Sequence, residues 1–186
     1  MAVVLHLLVV FWLLIPFLYF ITAAANIFTI PALANTGAVL GELSFISGML
    51  CVLLMGLFHG LLVPPALCGC VLALCSVMLY EWARRTVLDR NFYIALSGEV
   101  PPAICETGPY RYTRHPFYSS YILAFIAVAV AFPSPLVAGV CMINVGFFVY
   151  LAFDDERVLS ASALGGSYQA YRARVGMIVP RFMRRQ

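Results

Sequence analysis

Cys105-Glu106-Thr107-Gly108-Pro109-Tyr110-Arg111-Tyr112-Thr113-Arg114-His115-Pro116-Phe117-Tyr118 is the stretch that decides the fold, read together with Asp154-Asp155-Glu156. Two apolar stretches lie between them, joined by Phe132-Pro133-Ser134-Pro135. The first, Pro116 to Pro133, has 18 residues, and the second, Pro135 to Phe153, has 19. At the rise of a helix each is roughly 27–28 Å long, close to one bilayer core. The Pro-Ser-Pro corner cannot continue a helix, so the chain is expected to turn there and run back. A hairpin with arms of matched length returns to the membrane face it left. Arg114-His115 and Asp155-Glu156, far apart in sequence, are therefore expected to meet at one interface.

Composition supports a membrane reading. The 186 residues are 63% hydrophobic and 10% charged, against about 25% charged in a soluble domain. Lysine is absent, and all eleven basic residues are arginine. That excludes a Walker-type phosphate loop and a Schiff-base lysine. No G-x-G-x-x-G is present either, so a Rossmann site has no support. Five of the six cysteines fall in apolar stretches, no C-x-x-C occurs, and His6, His59 and His115 are scattered. No metal site is expected.

Residues 2–24 read as a first span, kinked at Pro16. No basic segment precedes it, so it reads as an uncleaved helix. His6 is expected at the interface, and Asn26 to Gly37 as an uncharged loop. Residues 38–58 make a second span, ending around Phe58-His59-Gly60. Glu42 in its first turns is either a functional carboxylate or one that reaches the interface. Residues 65–83 make a third span, able to run on to about Arg90. Its small residues Ala66, Gly69, Ala73 and Ser76 permit close helix contact. Tyr80 and Trp82 read as an aromatic belt and Arg84-Arg85 as a stop.

Charge appears abruptly from residue 84. Residues 84–115 and 154–186 hold all the arginines, and the positive-inside rule places both in the cytosol. The expected architecture is an all-α polytopic membrane protein of five transmembrane helices. Its N-terminus lies outside, and its C-terminus and cofactor pocket are cytosolic. It forms a single membrane domain over 1–186. Residues 1–90 supply three N-terminal spans, and residues 91–186 a module with spans near 116–133 and 135–153. Tyr168, Tyr171 and Val175 at helical spacing suggest a surface-lying amphipathic helix, interrupted by Gly165-Gly166. Arg181, Arg184 and Arg185 close the chain as a basic tail for anionic headgroups.

The expected meeting point gathers a particular set of groups. Arg111 and Arg114 offer forked donors suited to a carboxylate, and His115 can donate or accept near neutral pH. Tyr110, Tyr112 and Tyr118 offer flat faces with polar tips, and Asp154, Asp155 and Glu156 negative charge. A zwitterionic cofactor with an adenine, a ribose and a cationic sulfur would use every one of these types. The plainer alternative is a topology signal with aromatic anchors beside a solvated helix end.

Gly108-Pro109-Tyr110-Arg111-Tyr112-Thr113-Arg114-His115-Pro116-Phe117-Tyr118 resembles the G-P-Y-x-x-x-R-H-P-x-Y signature of the isoprenylcysteine carboxyl methyltransferases and related phospholipid methyltransferases. Asp155-Glu156 with Leu159 is similar to their E-E-x-x-L, and Leu164-Gly165 with Tyr168 and Tyr171 to their F-G-x-x-Y-x-x-Y. Arg174-Val175 and Pro180 resemble the close of that module, so the likeness covers roughly residues 100–182. It implies an integral membrane methyltransferase using S-adenosylmethionine. Cofactor contacts are implied for Tyr110, His115, Pro116, Phe117, Tyr118, Asp155 and Glu156, and for the backbone of Pro102, Ala103, Ile104 and Cys105. Arg114 and Glu156 are the candidate catalytic residues.

The first acidic position is Asp155, one methylene shorter than the family's usual Glu. Ala152 stands where prenylcysteine enzymes can carry an arginine for the substrate carboxylate. The implied acceptor is lipophilic, a prenylcysteine-type carboxylate or a related isoprenoid or lipid. The partners are the bilayer and that acceptor, with no nucleic acid and no metal. Two alternatives stay open: an NADPH-dependent membrane sterol or enone reductase, which shares a similar C-terminal signature, and a non-enzymatic membrane scaffold.

Overall fold

The computed structural model describes residues 2–27, 36–58, 62–88 and 103–181. Its elements are α1 (Ala2–Ile27), α2 (Thr36–Phe58), α3 (Val63–Leu88), α4 (Pro116–Ala131), α5 (Pro135–Ala161) and α6 (Gly165–Arg174). A short 3₁₀ turn over Gly108–Arg111 precedes α4. Among the described residues every regular element is a helix. Expectations placed on His59, Arg90, Pro102, Arg184 and Arg185, and on most of the loop from Asn26 to Gly37, lie outside the described residues.

Among the described residues four helices, α1, α2, α3 and α5, are long and apolar enough to cross a membrane. The fifth expected span is α4, apolar but only 16 residues long. Pro133 explains the shortfall. The residue before a proline is driven out of the helical region, and Phe132 sits at φ −123°, ψ 79°. α4 therefore stops at Ala131.

Its partner does the opposite. α5 has 27 residues and continues past Phe153 to Ala161, because nothing between Asp154 and Ser160 breaks a helix. The hairpin arms are thus unequal, not matched. The acidic group lies inside α5 and not at its end. At the helical rise α5 measures roughly 40 Å, so its last turns extend about 10 Å beyond a bilayer core.

α4 forms the centre of the bundle. Eleven of its 16 residues are buried, and α1, α2, α3 and α5 all touch it. The contact with α3 is the tightest, through the small residues expected to permit it. Ala66, Gly69, Ala73 and Ser76 are all buried, and Ser76 Oγ donates to Ser120 O at 2.7 Å. A Cβ on Gly69 would lie 2.6 Å from Ala131 Cβ and 2.7 Å from Ala127 O.

Tyr80 departs from its expected place in an aromatic belt. It is fully buried, while Trp82 is 48% exposed. Tyr80 continues the buried stripe of α3 and meets Phe117 edge-on at 5.0 Å. Phe20, Phe45 and Phe148 surround Tyr121 at 4.9, 4.9 and 5.1 Å between ring centroids. This aromatic layer lies directly beneath the loop that leads into α4.

Side chains pin the outer helices. His6 Nε2 bonds Gly56 O at 2.5 Å, joining α1 to α2. Ser44 Oγ donates to Asn144 Oδ1 at 2.5 Å, joining α2 to α5. Glu42 is exposed on α2. Near the other end of α1, the Tyr19 hydroxyl donates to Glu81 Oε2 at 2.5 Å. Glu81 also takes bonds from Arg84 and Arg85.

α6 begins at Gly165; the glycine pair starts the helix and does not interrupt it. A Cβ at Gly165 would stand 2.5 Å from Ser160 O, so glycine permits the tight reversal after α5. The apolar face of α6 docks on protein: Tyr168, Tyr171 and Val175 pack with Ile104 and Leu159.

Candidate functional site

The loop entering α4 is shaped by its own sequence. Gly108 has φ +56°, a conformation L side chains rarely adopt. A Cβ there would overlap the Thr86 side chain of α3. Glycine at this position therefore seats the loop on α3. Pro109, buried, follows in the 3₁₀ turn, and Pro116 starts α4, where its missing N–H costs nothing.

A strap from the C-terminal side closes over the loop. Arg114 N donates to Gly176 O at 2.8 Å, His115 N to Met177 O at 3.1 Å, and Arg181 N to Tyr112 O at 3.1 Å. Thr113 Oγ1 donates to Met177 O at 2.7 Å. Tyr171 fixes the other edge, its hydroxyl donating to Tyr110 O at 2.7 Å.

At the centre, Arg114 meets Glu156 of α5. Its Nε donates to Glu156 Oε1 at 2.8 Å and its Nη2 lies 2.6 Å from the same oxygen. Nη1 donates to Arg172 O at 3.1 Å and also to Val175 O. The side chains of Arg114 and Glu156 are only 8% and 4% exposed. A buried pair needs close geometry and further hydrogen bonds to offset lost hydration, and the two carbonyls supply them.

His115 Nε2 stands 3.4 Å from the same carboxylate oxygen, yet it is buried and makes no hydrogen bond among the described residues. Its ring stacks on Tyr118 at 5.6 Å, and the Tyr118 hydroxyl donates to Asp155 Oδ2 at 2.9 Å. The sequence expectation that the Arg-His and Asp-Glu pairs meet holds in the structure.

The other expected residues are placed less uniformly. Phe117 faces Tyr80 in the aromatic layer. Ile104 belongs to the α6 cluster, and Cys105 is buried with its sulfur 3.6 Å from Thr107 Oγ1. Ala103 is exposed, as are Arg111 and Asp154. Burial pushes the phenols of Tyr110, Tyr168 and Tyr171 up from their ordinary value, so all three are neutral hydroxyls at physiological pH.

A cleft of about 410 Å³ opens beside the ion pair, lined by Phe153, Glu156, Arg157, Ser160, Ala161 and Arg172. Arg172 Nε lies 3.5 Å from Glu156 Oε2. Among the described residues the buried hydroxyls of Ser160 and Tyr168 find no hydrogen-bond partner. Arg157, Ser160 and Arg172 were not singled out in the sequence. Position i+4 from Glu156 was the available signal for Ser160; Arg172 offered none.

The model of the phospholipid methyltransferase family matches residues 64–161, just over half of the chain. The chain belongs to the phospholipid methyltransferase family. No curated protein and no solved structure matches it. The family match begins earlier than the likeness legible in the motifs. It takes in α3, which carries no motif of its own but supplies the seat for Gly108. The family implies a membrane methyltransferase, and methyltransferases of this kind generally use S-adenosylmethionine.

Proposed function

We propose that the protein transfers a methyl group from S-adenosylmethionine to a lipophilic acceptor, a prenylcysteine-type carboxylate or a related isoprenoid or lipid. The observation that carries this reading is the closure of Arg114-His115 onto Glu156 beside an open cleft. Two of the motifs named in the resemblance, the Arg-His-Pro block and the acidic pair, contribute to that contact.

The residues suit the cofactor. Near the ion pair, His115 Nε2, Ser160 Oγ and Tyr168 Oη are buried and have no hydrogen-bond partner among the described residues, and unpaired buried groups of this kind are costly unless a ligand meets them. Carboxylates suit an ammonium and ribose hydroxyls, while tyrosine and histidine rings suit an adenine. Tyr110, His115, Pro116, Phe117, Tyr118, Asp155 and Glu156 would hold the group, with the backbone of Ala103, Ile104 and Cys105; Pro102 completes that set in sequence. The bound cofactor supplies a sulfonium methyl that an acceptor can attack in line.

The protein's own work is positional. Holding reactants near attack distance lowers the barrier by several kcal/mol. Arg114 acts as a positioning residue, fixing the Glu156 carboxylate through one oxygen. Tyr118 aligns Asp155 on the adjoining face of α5. A carboxylate acceptor needs no base; an amine acceptor would have to lose a proton, which His115 or Glu156 could take. The clustering of arginines supports a cytosolic site, with the Pro133–Pro135 turn and the N-terminus outside.

An acceptor screen with methyl-labelled cofactor tests the reading. Label is expected in an organic-soluble product. A chain that binds the cofactor but labels no lipophilic acceptor would contradict it.

A further inference from the structure

Trp82 stands roughly 29 Å along α3 from Val63, about the thickness of one bilayer core, and is half-exposed. That depth is where membrane meets water, a level that suits an indole. Tyr112 is tied to the same level, its ring centroid 6.1 Å from that of Trp82. Gly108 rests against Thr86, one helical turn further out. The loop that carries Arg114 and His115 therefore lies along the end of α3, down to the membrane surface.

The strap reaches the same depth. Arg181 N donates to Tyr112 O at 3.1 Å. Just before it, Val179 is 75% exposed and Pro180 is exposed as well. The charge around these apolar groups is positive. Arg85, three residues after Trp82, is exposed and spends its Nε on Glu81. Glu81 is shared with Arg84, so these three residues keep one net positive charge. Arg111, beside Tyr112, is exposed, and among the described residues nothing pairs with it. Arg181 is exposed, and its guanidinium bonds a neutral carbonyl, Ala173 O, at 3.1 Å. No carboxylate among the described residues offsets its charge.

We infer that this patch docks anionic phospholipid of the protein's own membrane, and that the docked lipid holds the strap against the loop. Guanidinium groups take phosphate oxygens through forked contacts, while Trp82, Tyr112 and Val179 enter the boundary between headgroups and acyl chains. Zwitterionic lipid offers the same boundary without net negative charge, so the arginines select the anionic one. Arg111 belongs to the loop and Arg181 to the strap. A headgroup layer that attracts both favours the paired arrangement, in which Arg114 N bonds Gly176 O and His115 N bonds Met177 O. The inference concerns lipid and strap, and stands apart from the methyl-transfer reading.

The test uses the full chain with Trp12→Phe, which leaves Trp82 as the single tryptophan, in phosphatidylcholine nanodiscs with a minor share of phosphatidylglycerol. Bromine quencher is carried on the acyl chains of one lipid or the other. At equal mole fraction, brominated phosphatidylglycerol is expected to quench Trp82 about twofold or more above brominated phosphatidylcholine, a preference that falls as salt rises. Hydrogen exchange over residues 176–179 should slow when phosphatidylglycerol is present. Arg111→Gln with Arg181→Gln should bring the two lipids level and abolish the response of exchange. Arg111 has no protein partner, so Arg111→Gln alone, expected to remove part of the preference, keeps the test valid if Arg181→Gln loosens the strap. Equal quenching by the two lipids in the parent chain, or full preference in the double variant, would overturn the docking surface. Exchange indifferent to phosphatidylglycerol would overturn its hold on the strap.

Discussion

Replacing Arg114 by lysine separates a residue that positions Glu156 from one that merely marks a membrane boundary. Arg114 spends its fork on Glu156 Oε1, at 2.8 and 2.6 Å, and its third nitrogen on the carbonyls of Arg172 and Val175. A lysine ammonium can keep the charge and one contact to Glu156, but it cannot reach both carbonyls and also make two contacts to Glu156 Oε1. Two charge-assisted bonds are lost, each contributing about 1.5–3 kcal/mol, so the variant should be destabilised by about 3–6 kcal/mol. The pair is nearly dry, so this figure needs little discount for solvent. The loss should fall on the docking of α6 and the strap more than on the membrane bundle. Hydrogen exchange over residues 165–178 reads the docking, and calorimetry reads S-adenosylhomocysteine affinity. Arg114→Lys should raise exchange there and weaken binding, and should be non-additive with Glu156→Gln. Arg84→Lys serves as the anchoring control. Unchanged exchange and affinity in Arg114→Lys, matching Arg84→Lys, would refute the reasoning.

Three further outcomes follow from the packing. Gly108→Ala should cost about 1–2 kcal/mol for the left-handed backbone alone, and more for the overlap with Thr86; Thr86→Ser in the same chain should recover part of it, read as a melting temperature in detergent. Gly69→Ala should lower stability by about 1–3 kcal/mol through overpacking against Ala127 and Ala131, and an unchanged melting temperature would show that α3 and α4 are not held that closely. In a cysteine-free background, membrane-impermeant thiol reagents should label Ser134→Cys from outside and spare Glu106→Cys. The reverse pattern would invert the orientation.

The hairpin was legible because two strong signals agree: a Pro-Ser-Pro corner through which no helix continues, and charges confined to the two ends it joins. Helix ends were less so. α4 stops early because Phe132 precedes a proline, and α5 runs long because nothing between Asp154 and Ser160 breaks a helix; its acidic turn then finds partners in Arg114 and Tyr118, neither adjacent in sequence. Tyr80 was misplaced although the signal existed, since it continues the Ala66, Gly69, Ala73, Ser76 stripe by one further turn. Glu81 with Arg84 and Arg85 is a helix ion-pair pattern at i+3 and i+4, but its bond to Tyr19 depends on how α1 packs. Arg172 could not have been found. It lies on the polar side of α6, and only the reversal at Gly165 turns that side toward Glu156.

The central claim is that His115 and Glu156 belong to one cofactor pocket. Calorimetry of the purified chain with S-adenosylhomocysteine and with NADPH, repeated for His115→Ala and Glu156→Ala, tests it most directly. The account predicts that the unmodified protein binds S-adenosylhomocysteine and not NADPH, and that each variant weakens binding by more than about 1.4 kcal/mol, tenfold in affinity. Full affinity in both folded variants, or binding of NADPH in place of S-adenosylhomocysteine, would contradict it.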